Sequence, residues 1–114
     1  MEEEKRKIFF KKKFLEDIEK IFEYIAKDSP KSANSCVKSV EQQIEKIKSH
    51  PKSYPQIDIK NFPNKKGEYR FAHFFKTFKI LYKNPKDLIV FLGIVHDKQR
   101  NSILKSYKTE DYGN

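Results

Sequence analysis

Between Phe14 and Ile47 the sequence carries two apolar stripes of helical period with only a few residues between them. No other feature constrains the fold as strongly. Phe14, Ile18, Ile21, Phe22 and Ile25 recur at i, i+4, i+7, i+8 and i+11, one face of an α-helix. Glu16, Asp17, Glu19, Lys20 and Glu23 are assigned to the other face, and the acidic residues fall in the first turns, where the helix dipole favours them. Asp28-Ser29-Pro30 breaks the pattern. Ser29 suits an N-cap, and Pro30 suits a first helical position where no amide donor is needed. Ala33, Val37, Val40, Ile44 and Ile47 then form a second stripe, which should end near Ser49 because Pro51 drives His50 out of helical geometry. Two helices so closely joined must pack as an antiparallel hairpin.

The hairpin is flanked by residues of strand period. Lys7-Ile8-Phe9-Phe10-Lys11 reads as a short first strand. Pro51 to Gly67 has the Pro, Asn and Gly of a loop, with Ile57 and Ile59 as a brief extended piece. Glu68–Phe75 is dense in aromatics. Thr77–Lys83 places Phe78, Ile80 and Tyr82 on one face and Lys79, Leu81 and Lys83 on the other. Asn84-Pro85-Lys86-Asp87 is a turn, and Leu88–Val95 is apolar throughout, as a central strand covered on both faces requires. The expected order is β-α-α-β-β-β, an α+β domain with the hairpin on one face of a small twisted antiparallel meander and the first strand at its edge. The other sheet face should be polar or need a partner. Residues 1–105 are expected to form one domain, ending in a short helix near Ile103-Leu104, and 106–114 a polar tail.

Composition narrows the function. The 114 residues include 10 Phe and 6 Tyr, enough bulky material for one core. No stretch approaches the roughly 18 apolar residues of a membrane span, and charged Met1–Lys7 has no apolar run behind it, so neither a membrane segment nor a signal peptide is expected. A single cysteine, Cys36, excludes an internal disulfide and suits a reducing cytoplasm. The net charge of +9 is unevenly spread: Lys60 to Lys105 holds 11 basic residues against Glu68, Asp87 and Asp97. That asymmetry is the footprint of a polyanion or an acidic protein partner. The plain alternative is a lysine-rich composition, since only three basic residues are Arg.

Tyr24-Ile25-Ala26, Ser29-Pro30, Ala33 and the second stripe ending near Pro51 resemble the helical hairpin of RelE/ParE-type toxins of type II toxin–antitoxin modules, the plasmid stabilisation type. Tyr69-Arg70, Lys79-Ile80-Leu81-Tyr82, Ile94-Val95-His96 and Arg100 extend the likeness over Lys7 to Arg100. The resemblance implies an α+β microdomain wrapped by a cognate antitoxin, without cofactor. It leaves two activities open, beside a non-toxic relative kept as a binding module. One branch cleaves mRNA in the ribosomal A site without a metal, with ribosome and mRNA as partners. The other poisons DNA gyrase and has lost the nuclease residues.

The first activity needs a group to take the 2′-hydroxyl proton, cations for the phosphorane and an acid for the leaving oxygen. His96, at the exit of the last strand, is the acid or base candidate. The resemblance places a Tyr after the matching His, where this chain has Asp97. Arg70 can clamp a phosphate bidentately or anchor the sheet. Lys79 stands where the RelE-like and YoeB-like enzymes have an Arg, keeping the charge without the fork. Lys60, Lys65 and Lys66 before the meander, with Lys98 and Arg100 after it, can frame an RNA groove or be solvated charges. No general base stands out among Asp58, Glu68 and Tyr107. His50, His73 and Cys36 read as structural, and neither zinc spacing nor a glycine-rich phosphate loop is present.

Overall fold

In a computed structural model of the chain, residues 7–56, 69–75, 78–85 and 87–96 are described. Strand β1 (Lys7–Phe10) leads into helices α1 (Lys12–Asp28) and α2 (Pro30–Ser49), a short 3-10 turn (Pro51–Ser53), and strands β2 (Tyr69–Phe74), β3 (Phe78–Lys83) and β4 (Leu88–His96). The order in space is β1-β4-β3-β2. The meander is antiparallel, and β1 adds at its edge parallel to β4, so the four-stranded sheet is mixed. Ile57, Ile59 and the helix expected near Ile103-Leu104 lie outside the described residues.

One residue joins the two helices. Ser29 closes α1 by donating its amide to the Ile25 carbonyl at 2.9 Å, and its Oγ accepts from the Ser32 amide at 3.1 Å to open α2. Pro30 follows at the first helical position, where its missing donor costs nothing. At the far end α2 stops at Ser49, as expected from Pro51.

The start of α1 corrects the sequence expectation. The helix begins at Lys12, so its first turn holds lysines and no acid. Asp17 is also not on the solvent face. It lies one turn before Ile21, at the margin of the apolar stripe, and is only 7% exposed. Its Oδ2 accepts the Ile94 amide of β4 at 2.9 Å, and its Oδ1 takes Lys13 Nζ at 2.8 Å. A buried carboxylate is tolerable on those terms, because its acceptor sites are filled.

The main core lies between hairpin and sheet: Phe14, Cys36, Val40 and Ile47 from the helices meet Ala72, Phe74, Phe78, Ile80, Tyr82, Ile89 and Phe91. Phe10, Phe14 and Phe91 stack with centroids 5.1–5.6 Å apart, which ties β1 and α1 to the central strand. The opposite sheet face departs from expectation in carrying a buried apolar cluster. Tyr69, Leu81, Val90, Leu92 and Val95 form a second apolar cluster there, buried within the single chain.

One irregularity matters for the site. Leu81 of β3 faces Gly93 and Tyr82 faces Phe91, so Leu92 is an extra residue in β4. Such a bulge shifts the two-residue alternation. Before it, Ile89 and Phe91 face the helices; after it, Ile94 does.

Candidate functional site

His96 ends β4 opposite Phe78, its ring edge-on to the Phe78 ring at 5.5 Å. Unbroken alternation from Phe91 would turn residue 96 to the far face of the sheet. The extra residue at Leu92 turns it to the helix side, in phase with Ile94. There it lines a groove of about 400 Å³ with Lys20, Ile21, Tyr24 and Ile25 of α1, Phe75 and Phe78. Phe75, at the end of β2, has a φ of 53°. A bulky non-glycine residue in the left-handed region is held there at a cost of about 1 kcal/mol or more. Sequence reasoning missed Tyr24 as a site residue. A helical wheel puts Tyr24 beside Ile21, whereas nothing in the sequence marks Phe75 for positive φ.

Lys79 is on the other face. It pairs with Val95 in register, and its Nζ lies 5.0 Å from the centre of the Phe71 ring. Cation–π contact keeps the ammonium over β2, away from the groove.

Arg70 shares the helix-facing side with His96 but stands at the opposite end of the sheet. It pairs with Tyr82, whereas His96 belongs to the row of Phe78 and Phe74. Four residues separate those rows, about 13 Å along the strand. The Arg70 side chain is buried, and its Nη1 donates to the Tyr54 carbonyl at 2.6 Å. Around it, Tyr54 Oη donates to Gln43 Oε1 at 3.0 Å, Gln43 Nε2 donates to the His73 carbonyl, and Tyr82 Oη donates to the Pro51 carbonyl. Burial pushes the Tyr82 phenol well above its ordinary value, with Arg70 acting the other way. This network joins α2, the 3-10 turn and the sheet.

His96, Arg70 and Lys79 are therefore not brought to one point. Lys60, Lys65, Lys66, Lys98 and Arg100 lie outside the described residues, as do Asp58, Glu68 and Tyr107. His50 caps the end of α2, and His73 sits on β2 with its ring edge-on to Phe71 at 5.6 Å. Cys36 is buried, and loss of solvent raises its thiol pKa. Among the described residues no group of three or more His, Cys, Asp and Glu can hold a metal ion.

A helical hairpin on one face of a four-stranded sheet, with an apolar groove at the sheet's end, defines a small α+β domain. The chain belongs to the ParE toxins of type II toxin–antitoxin systems (parDE), whose family model matches residues 8–101. It is thus the toxin of a toxin–antitoxin pair, with a cognate antitoxin as partner. The comparison with curated proteins found no match. No helix among the described residues is long and apolar enough to cross a membrane.

Proposed function

We propose that this toxin arrests growth by binding DNA gyrase rather than by cutting mRNA. The observation that carries this reading is the separation of the three nuclease candidates. Metal-free RNA cleavage needs acid, base and cations around a single phosphate, within about 3 Å of the reacting atoms. Here a sheet lies between His96 and Lys79, and Arg70 is engaged in holding the Tyr54 segment. The ParE family adds support, because the gyrase-directed branch of the superfamily it resembles lacks the nuclease residues.

The test is a supercoiling assay with purified gyrase and relaxed plasmid, run beside primer extension on a well-translated mRNA after induction. The expected result is loss of supercoiling at stoichiometric toxin, equally with His96→Ala, and intact mRNA. New 5′ ends inside codons that vanish in His96→Ala would overturn the proposal and establish a nuclease.

A further inference from the structure

We propose that Pro51–Gln56 is a strap that guards the free edge of β2 against strand pairing by a second copy of the chain, with Tyr54 as its keystone. The inference concerns the state of the toxin itself and is independent of the gyrase reading.

β2 is the last strand in the order β1-β4-β3-β2, so among the described residues no strand lies on its outer side. In an antiparallel pair, alternate residues turn their N–H and C=O groups away from the partner strand. The Phe71 amide bonds outward, which puts Tyr69 and His73 in the same phase. An open edge of this kind is a template for another chain. Tyr69, Phe71 and Phe74 also give β2 the aromatic content that suits a strand.

The outward groups are capped by residues that do not form a strand. The Phe71 amide donates to the Pro55 carbonyl at 3.2 Å, and Gln56 makes an isolated antiparallel bridge with Arg70. Pro55 has no N–H to return to the Phe71 carbonyl, so the pairing stops there and does not run on along β2. The His73 carbonyl, two residues further, is taken by the side-chain amide of Gln43 on α2. Tyr54 serves both caps. Its carbonyl accepts Arg70 Nη1 at 2.6 Å, which fixes the strap. Its hydroxyl donates to Gln43 Oε1 at 3.0 Å, which aims the Gln43 amide at His73.

The edge itself selects the second copy as its occupant. Laid antiparallel to itself about a two-fold axis at Phe71, β2 sets Phe71 against Phe71 and Tyr69 against His73 of the second copy. These are ring pairs of the kind that stabilise sheets, and each Arg70 falls opposite an alanine, Ala72. The net charge of +9 opposes association, so caps on a few groups suffice to keep the chain monomeric.

The experiment measures sedimentation velocity from about 10 to 300 µM, together with amide hydrogen exchange, on the full chain. The proteins are wild type, Arg70→Met, Gln43→Ala and the control Gln42→Ala, an exposed neighbour on the same helix. Wild type and Gln42→Ala should stay monomeric with slow exchange at the Phe71 amide. Arg70→Met should speed that exchange by about tenfold or more, the effect of a lost charged hydrogen bond on a local opening. Arg70→Met and Gln43→Ala should both self-associate as concentration rises, with isotope-filtered NMR contacts between the β2 strands of two copies. An Arg70→Met chain that exchanges fast at Phe71 and remains monomeric would overturn the proposal, as would slow exchange there. Wild-type pairing through β2, or self-association without contacts between β2 strands, would overturn it too. If Arg70→Met fails to fold, Gln43→Ala decides alone, because Gln43 is only half-buried and its loss spares the core; a monomeric Gln43→Ala then sinks the strap.

Discussion

Replacing Asp17 by alanine should destabilise the fold more than any other single polar change on α1. Asp17 Oδ2 is the acceptor for the Ile94 amide, in a buried position two residues past the extra residue of β4. A hydrogen bond to a charged acceptor contributes about 1.5–3 kcal/mol, and its loss leaves a buried N–H unpaired. The accompanying pair with Lys13 adds at most about 1 kcal/mol, because Lys13 is half-exposed. Asp17→Ala should therefore cost about 2–3 kcal/mol. Asp17→Asn keeps an oxygen for Ile94 and forfeits mainly charge, so it should cost about 1 kcal/mol. With a urea dependence of about 1.5 kcal/mol per molar, the unfolding midpoint falls by roughly 1.5–2 M for alanine and less than 1 M for asparagine. The ring resonances of His96 give a second readout, since Ile94 leads directly to the edge-on contact between His96 and Phe78. They should move in Asp17→Ala and stay in Asp17→Asn. A midpoint shift below 0.3 M for alanine, or equal shifts for the two variants, would refute the reasoning.

Two further outcomes follow from buried titratable groups. The folded state holds the Tyr82 phenol above its ordinary value, so the unfolded chain releases that proton first, and stability falls as pH rises past about 10. By pH 11 the loss from this group is about 1.4 kcal/mol. Tyr82→Phe should start lower, because the Pro51 carbonyl loses its donor, and should then close most of the gap to wild type between pH 9 and 11. A constant gap in urea unfolding across that range would count against it. Cys36 should resist a thiol reagent such as dithionitrobenzoate at pH 8 in the native protein and react with one equivalent in denaturant. Stoichiometric reaction of the native chain within a minute would show that the helical core is open.

The fold was readable wherever local periodicity and core burial agree. The stripes on α1 and α2, the Ser29-Pro30 junction and the alternation of Phe78, Ile80 and Tyr82 each state their face directly in the sequence. Asp17 was misread because helical period assigns faces by hydrophobicity, and a carboxylate buried to satisfy a strand amide 77 residues away has no local signature. The far sheet face was misread for a similar reason. Alternation shows that Leu81 and Val90 face it, but burial is a tertiary property that alternation does not report. Of the candidate site, the residue types were legible and their grouping was not. His96, Arg70 and Lys79 all lie on or beside the meander in sequence, yet strand register sets Arg70 about 13 Å away along the sheet.

The extra residue at Leu92 sets the face of the sheet on which His96 stands. In a strand of strict alternation residue 96 would share a face with Leu88, Val90 and Leu92, the face on which Lys79 lies over Phe71. Histidine would then share a face with Lys79 on the adjacent strand, two residues along from the position paired with Lys79. The bulge puts His96 through to the helix side, and the Asp17 carboxylate fixes the strand just beyond it by holding the Ile94 amide. On that side His96 meets Phe78 and the groove beside Tyr24, surroundings that favour apolar contact over phosphate. A one-residue irregularity in β4, beside a strand amide held by one buried carboxylate of α1, thus decides which face of the sheet His96 occupies.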